Sequence, residues 1–133
     1  MTRTNGPILF VCIENSSRSQ MAEGFARKLG IDAMSAGTLP STHVNPIVVK
    51  AMAEEAIDIS QAKPKHLTEE AIEKASLVVL TDGAIEQSIP KEFRKKMKRK
   101  MMIWTVADPQ GRSVEEVRFI RDEIKRLVSD LKP

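Results

Sequence analysis

Short apolar runs alternate with longer amphipathic stretches along the chain. Residues 8–12 (Ile-Leu-Phe-Val-Cys) are continuously apolar, the pattern of a strand buried on both faces. Met21, Ala22, Phe25, Ala26 and Leu29 then recur on one face at helical spacing, and Gly30 supplies a stop. Residues 31–36 predict a shorter strand ended by Gly37. Asn45-Pro46 reads as an N-cap followed by proline in the first helical turn, and Val48, Val49, Met52, Ala53 and Ala56 carry that helix onward. Thr68-Glu69-Glu70 opens another helix with acids at the positive end of its dipole. Residues 76–81 predict a second buried strand, 83–98 a helix interrupted near Pro90, and 101–106 a further strand. Ser113-Val114-Glu115-Glu116 is a capping box. It starts a last helix striped by Val117, Ile120, Ile124, Leu127, Val128 and Leu131.

Four strands separated by helices imply an α/β fold: three layers, with a central four-stranded parallel sheet covered on both faces. No repeat or linker interrupts the pattern, so residues 1–133 are expected to form a single domain. Open sheets of this kind bind ligands beyond the carboxyl ends of their strands. That rule selects the loops after Cys12 and after Val106.

Composition narrows the function. Hydrophobic residues at 41% and charged residues at 29% exclude a disordered tail. The start, Met1–Asn5 and Gly6, carries no apolar signal region, and no apolar run reaches membrane-spanning length. One cysteine excludes a disulfide framework and a cysteine-rich zinc site, and it fits a reducing, cytoplasmic setting. The net charge of +3 is local: residues 91–100 hold seven bases and one acid, a net of +6, which leaves −3 for the rest. Only Phe93 sits among those bases, so a base-stacking nucleic-acid surface is not expected. The strip reads either as a solvated helix end or as a docking surface for an anion. His43 and His66 stand alone in loops and read as surface or packing residues, and no metal site is assigned. Met97, Met101, Met102 and Trp104 read as core or cover.

The loop after the first strand carries the chemistry. It runs Cys12-Ile13-Glu14-Asn15-Ser16-Ser17-Arg18-Ser19 and opens a helix. Backbone N–H groups of such a loop, together with the helix N-terminus, cradle a tetrahedral oxyanion. Ile13, Glu14, Asn15, Ser16, Ser17 and Ser19 are therefore the expected substrate-binding residues. Arg18 can bind two oxygens with its planar fork. Asn15 tolerates the left-handed backbone that a tight loop needs. Cys12 sits where the same field stabilises an anionic sulfur, and Ser19 can donate a further hydrogen bond to it.

This loop resembles the phosphate-binding loop of low-molecular-weight protein tyrosine phosphatases and of their relatives, the thioredoxin-coupled arsenate reductases. The likeness extends through Ser35-Ala36-Gly37-Thr38, Asn45-Pro46, the strand at 76–81, Asp108-Pro109 and Arg121-Asp122-Glu123-Ile124. Ser19-Gln20-Met21-Ala22-Glu23-Gly24 leans toward the reductases. The resemblance implies the low-molecular-weight phosphatase type of fold and a cofactor-free monomer. It implies Cys12 as nucleophile, Arg18 as oxyanion binder and Asp108 as acid and then base. The implied substrates are a phosphorylated protein or small aryl phosphate, or a phosphate or arsenate oxyanion, with neither nucleic acid nor membrane as partner. The reductases relay a disulfide through two further cysteines. Here Thr81-Asp82 stands where the first would lie, so an arsenate reaction would need an external thiol. Some reductases bind a monovalent cation near this loop. Asn15, Glu23 and Ser35 resemble part of that site, but Lys65 stands where an acid is expected, and no cation is assigned.

Overall fold

Ile8–Cys12 forms β1, and all five of its side chains are buried. The computed structural model describes residues 6–131; residues 1–5, read above for the absence of a signal region, lie outside them. β2 (Ala33–Gly37) and β3 (Leu77–Leu80) flank β1, and β4 (Met101–Ile103) pairs with β3. The sheet order is β2-β1-β3-β4 and every pairing is parallel. Parallel neighbours need crossovers. These contain α1 (Arg18–Lys28), α2 (Pro46–Ala53), α3 (Glu69–Lys74) and α4 (Lys91–Met97), and α5 (Val114–Ser129) follows the sheet.

Strand alternation divides the core in two. Ile8 and Phe10 face Met21, Phe25, Met52 and Ile124 of α1, α2 and α5. Leu9 and Val11 face Ile72 of α3, Met97 of α4 and Ile85 of the short 3₁₀ helix Gly83–Ser88. The result is the expected three-layer α/β arrangement.

Boundary differences have local causes. α2 ends at Ala53, not Ala56, because Ala56 turns left-handed (φ 59°) and the Ile57 N–H reaches back to Met52 O at 3.1 Å. β4 ends at Ile103, not Val106. Trp104 N–H still bonds Leu80 O at 2.8 Å and Val106 N–H bonds Thr81 O at 3.1 Å, so two steps on one side match one on the other. This bulge-like mismatch bends the chain just before Asp108. Met102, read as core or cover, is 37% exposed because β4 is a sheet edge, whereas Met97 and Trp104 are buried.

Charge ties α2 to α5. Glu54 accepts hydrogen bonds from Arg118 and Arg121, each at 2.7 Å, and Arg121 also donates to Ala51 O at 2.9 Å. Arg118 first, then Arg121, holds the Glu54 carboxyl at about 2 instead of 4.5. A carboxyl lowered in the native state stabilises it above the unfolded value and loses that contribution as pH falls. Tm should therefore decline between pH 4.5 and about 2, and the decline should be shallower in Glu54→Gln; thermal melts across that range measure it.

Candidate active site

β1 delivers Cys12 to the point where the sheet diverges, with β2 on one side and β3 on the other. Parallel sheets leave a crevice at such a point. The chain turns through residues 13–17 and enters α1 at Arg18, with Asn15 left-handed at φ 53°. Leu39, Ser41 and Asn45 donate their N–H groups to the carbonyls of Ile13, Glu14 and Ser16 at 2.8–3.0 Å, so these carbonyls are committed away from the crevice. The N–H groups of Glu14, Ser16, Ser17 and Arg18 have no acceptor among the described residues. The Ser17 side chain does not cap α1, and no acid occupies its first turn. The loop thus presents free donors and a positive helix end to an anion. It packs against Gly37, where a Cβ would lie 2.5 Å from Ile13 O and 2.9 Å from Asn15 N. Only glycine permits that approach.

A buried polar chain orients the cysteine. The Lys65 N–H donates to Asn15 Oδ1 at 2.9 Å, which fixes the amide so that Asn15 Nδ2 donates to Ser19 Oγ at 2.7 Å. With its oxygen accepting, Ser19 is left to direct its proton at Cys12 Sγ, 2.8 Å away. The Asn15 N–H adds a second donor to the sulfur at 3.2 Å. Gln20 supports Asn15 Oδ1 from behind at 3.1 Å. Two donors thus converge on one sulfur.

Arg18 is buried beneath the loop. Its Nη1 donates to Val106 O at 2.9 Å and lies 3.5 Å from Asp82 Oδ2, while Nε and Nη2 have no acceptor among the described residues. Asp108 is exposed at the rim of the same cleft. Its Oδ1 accepts the Gln110 N–H at 3.0 Å, and Oδ2 has no partner among the described residues. A cleft of about 110 Å³ brings together Cys12, Ile13, Glu14, Ser16, Ser17, Arg18, Asp108 and Gln110. Asn15 and Ser19, expected among the substrate-binding residues, do not line it; they stand behind and hold Cys12. Sequence reasoning did not select Gln110, or Asp82 as a partner of Arg18. Tertiary proximity alone joins Asp82 to Arg18, and Gln110 had no local pattern to mark it.

A larger cavity of about 490 Å³, bordered by Gly24, Ile57 and Ile59, contains no nucleophile. Beside it, Ser35 donates to Glu23, and Lys65 Nζ lies 4.0 Å from Glu23 Oε1. An ammonium therefore stands near the carboxylate that resembles part of a cation site. Among the described residues, no three His, Cys, Asp or Glu side chains converge to hold a metal ion, and no helix is long and apolar enough to cross a membrane.

The family model described as low molecular weight phosphotyrosine protein phosphatase matches residues 7–132. The chain belongs to this family. Within it, the chain is 36% identical to an arsenate reductase of Staphylococcus aureus (strain Newman), over 97% of this chain and 98% of the relative. It is 32% identical to the glutaredoxin arsenate reductase of Synechocystis, covering 93% and 94% of the two chains. The YwlE arginine phosphatase from Geobacillus stearothermophilus superposes with a TM-score of 0.86 at 26% identity, covering 95% of this chain and 90% of that one. Family membership accounts for the fold, and both phosphatases and arsenate reductases share it.

Proposed function

We propose that the protein hydrolyses phosphomonoesters of the phosphotyrosine or aryl phosphate type through a phosphocysteine on Cys12, without a cofactor. One observation carries this reading. A sulfur with two hydrogen-bond donors shares a cleft with a free guanidinium edge and a carboxyl, and the chain has no second thiol.

The Cys12 sulfur attacks phosphorus as the ester P–O bond breaks. Arg18 Nε and Nη2 and the loop N–H groups hold the non-bridging oxygens, on which transition-state charge is spread. Asp108 gives its proton to the departing oxygen. Water then attacks the phosphocysteine, Asp108 takes a proton from it, and the sulfur leaves as a thiolate that accepts from Ser19 and Asn15.

Asp108→Asn is expected to lower kcat by about 10²- to 10³-fold on phosphotyrosine and by less on p-nitrophenyl phosphate, whose leaving group needs less protonation. Steady-state assays without added metal compare the two. An equal, small effect on both substrates would remove Asp108 from the acid role.

A second reading is favoured by the arsenate reductases among the relatives, one of them named for glutaredoxin. Arsenate would condense on Cys12 with loss of water; an external thiol would then attack the Cys12 sulfur, releasing arsenite and leaving a mixed disulfide for a second external thiol to reduce, since this chain has no internal partner. Assays with arsenate plus glutathione or a redoxin separate the two activities.

A further inference from the structure

The cleft continues past the phosphate cup. A second recess of about 200 Å³ shares Glu14, Ser16 and Gln110 with it and adds Ser41, His43 and Asn45. Glu14 is the only charged residue common to both cavities. Its carboxylate makes no hydrogen bond or ion pair among the described residues, although its carbonyl is tied to the Ser41 N–H at 3.0 Å. The proposed chemistry uses Asp108 but gives Glu14 no task. An unpaired carboxylate beside an oxyanion cup repels a dianionic substrate unless the substrate brings a compensating cation.

Among the described residues lining the two cavities, no lysine or free arginine supplies that cation. Arg18 is turned into the cup. Arg112 donates to the Asp108 carbonyl at 2.7 Å and pairs with Glu116 at 3.4 Å. Among the described residues, no Lys, Phe, Tyr or Trp lines either cavity, and the His43 imidazole borders the recess. The recess therefore offers a carboxylate, hydroxyls, amides and the His43 imidazole, a lining with acceptors for an ammonium or guanidinium.

We infer that Glu14 is a specificity residue selecting phosphorylated segments that carry a lysine or arginine beside the phosphorylated residue, with the basic side chain in the recess. This rests on the phosphatase reading for its turnover consequences, but not for binding. The test uses phosphotyrosine peptides of one length that differ in a flanking Lys or Glu. Their binding to the Cys12→Ser chain is read by fluorescence anisotropy, with and without Glu14→Gln or Glu14→Lys. The kcat/KM values of the Cys12-containing chains are measured in parallel.

With Glu14 present, the Lys peptide is expected to bind about fivefold tighter than the Glu peptide, the scale of one exposed charge pair. Glu14→Gln should erase the preference, Glu14→Lys should reverse it, and roughly 0.5 M salt should flatten it. Glu14→Gln should also raise kcat/KM for p-nitrophenyl phosphate about twofold, by relieving repulsion. A preference unchanged by both substitutions, or no binding of either peptide, overturns the inference. Turnover without dependence on Glu14 defeats the inference alone. Glu14-dependent binding without turnover defeats the phosphatase reading alone.

Discussion

Cys12→Ser is expected to abolish turnover of p-nitrophenyl phosphate, by on the order of 10⁵-fold, while leaving phosphate binding within a few-fold of the native chain. A hydroxyl at this position can accept the same bonds from Asn15 and Ser19, so the loop keeps its shape. A serine hydroxyl ionises far less readily than a thiol, however, and two donors cannot make up that difference. The oxyanion cradle, built from Arg18 and the unpaired N–H groups of Glu14, Ser16 and Ser17, is untouched. Phosphate titration and steady-state kinetics on the same preparation separate the two properties. Turnover near the native rate would mean that another group makes the bond to phosphorus.

Arg18→Ala carries the second largest expected effect. It should lower kcat/KM by about 10³- to 10⁴-fold and weaken phosphate binding in the same experiment. The guanidinium is held from one side only, by Val106 O at 2.9 Å and more loosely by Asp82 at 3.5 Å, which leaves its other edge for two oxygens. Arg18→Lys should recover little, because an ammonium replaces a planar fork with a point charge. The contrast with Cys12→Ser is diagnostic: loss of the nucleophile spares anion affinity, and loss of the fork does not. Retained phosphate affinity in Arg18→Ala would assign the cradle to the backbone alone.

These effects involve residues that could be picked out from local pattern. The run at 8–12 is apolar enough to be a central strand, and the capping box at Ser113 fixes the start of α5. The Cys12–Ser19 loop is contiguous, so the residues proposed to act there could be picked out together. Features that depend on distant partners could not. The Lys65 N–H sets the Asn15 amide, and through it the Ser19 proton, across fifty positions of sequence. Asp82 stood out only as a missing cysteine, yet it lies beside Arg18. The shortening of β4 comes from a mismatch against β3 that no propensity of residues 101–106 reveals.

The basic strip at 91–100 resolves partly into structure. Lys96 sits between Glu69 and Glu73 at 3.6 and 3.7 Å, and Lys100 caps the end of α3 by donating to Ala75 O at 2.7 Å. Two of its seven charges thus hold α4 and the following turn against α3, a use the charge count alone did not show.

The central claim is that phosphoryl transfer passes through the sulfur of Cys12. Rapid acid quench during p-nitrophenyl phosphate turnover, followed by peptide mass spectrometry, tests it most directly, with Asp108→Asn included to slow breakdown of the intermediate. The account predicts a phosphoryl group on the peptide containing Cys12, formed in a burst with p-nitrophenol and absent from Cys12→Ser. Steady turnover with that peptide unmodified, or with the phosphoryl group on another residue, would contradict it.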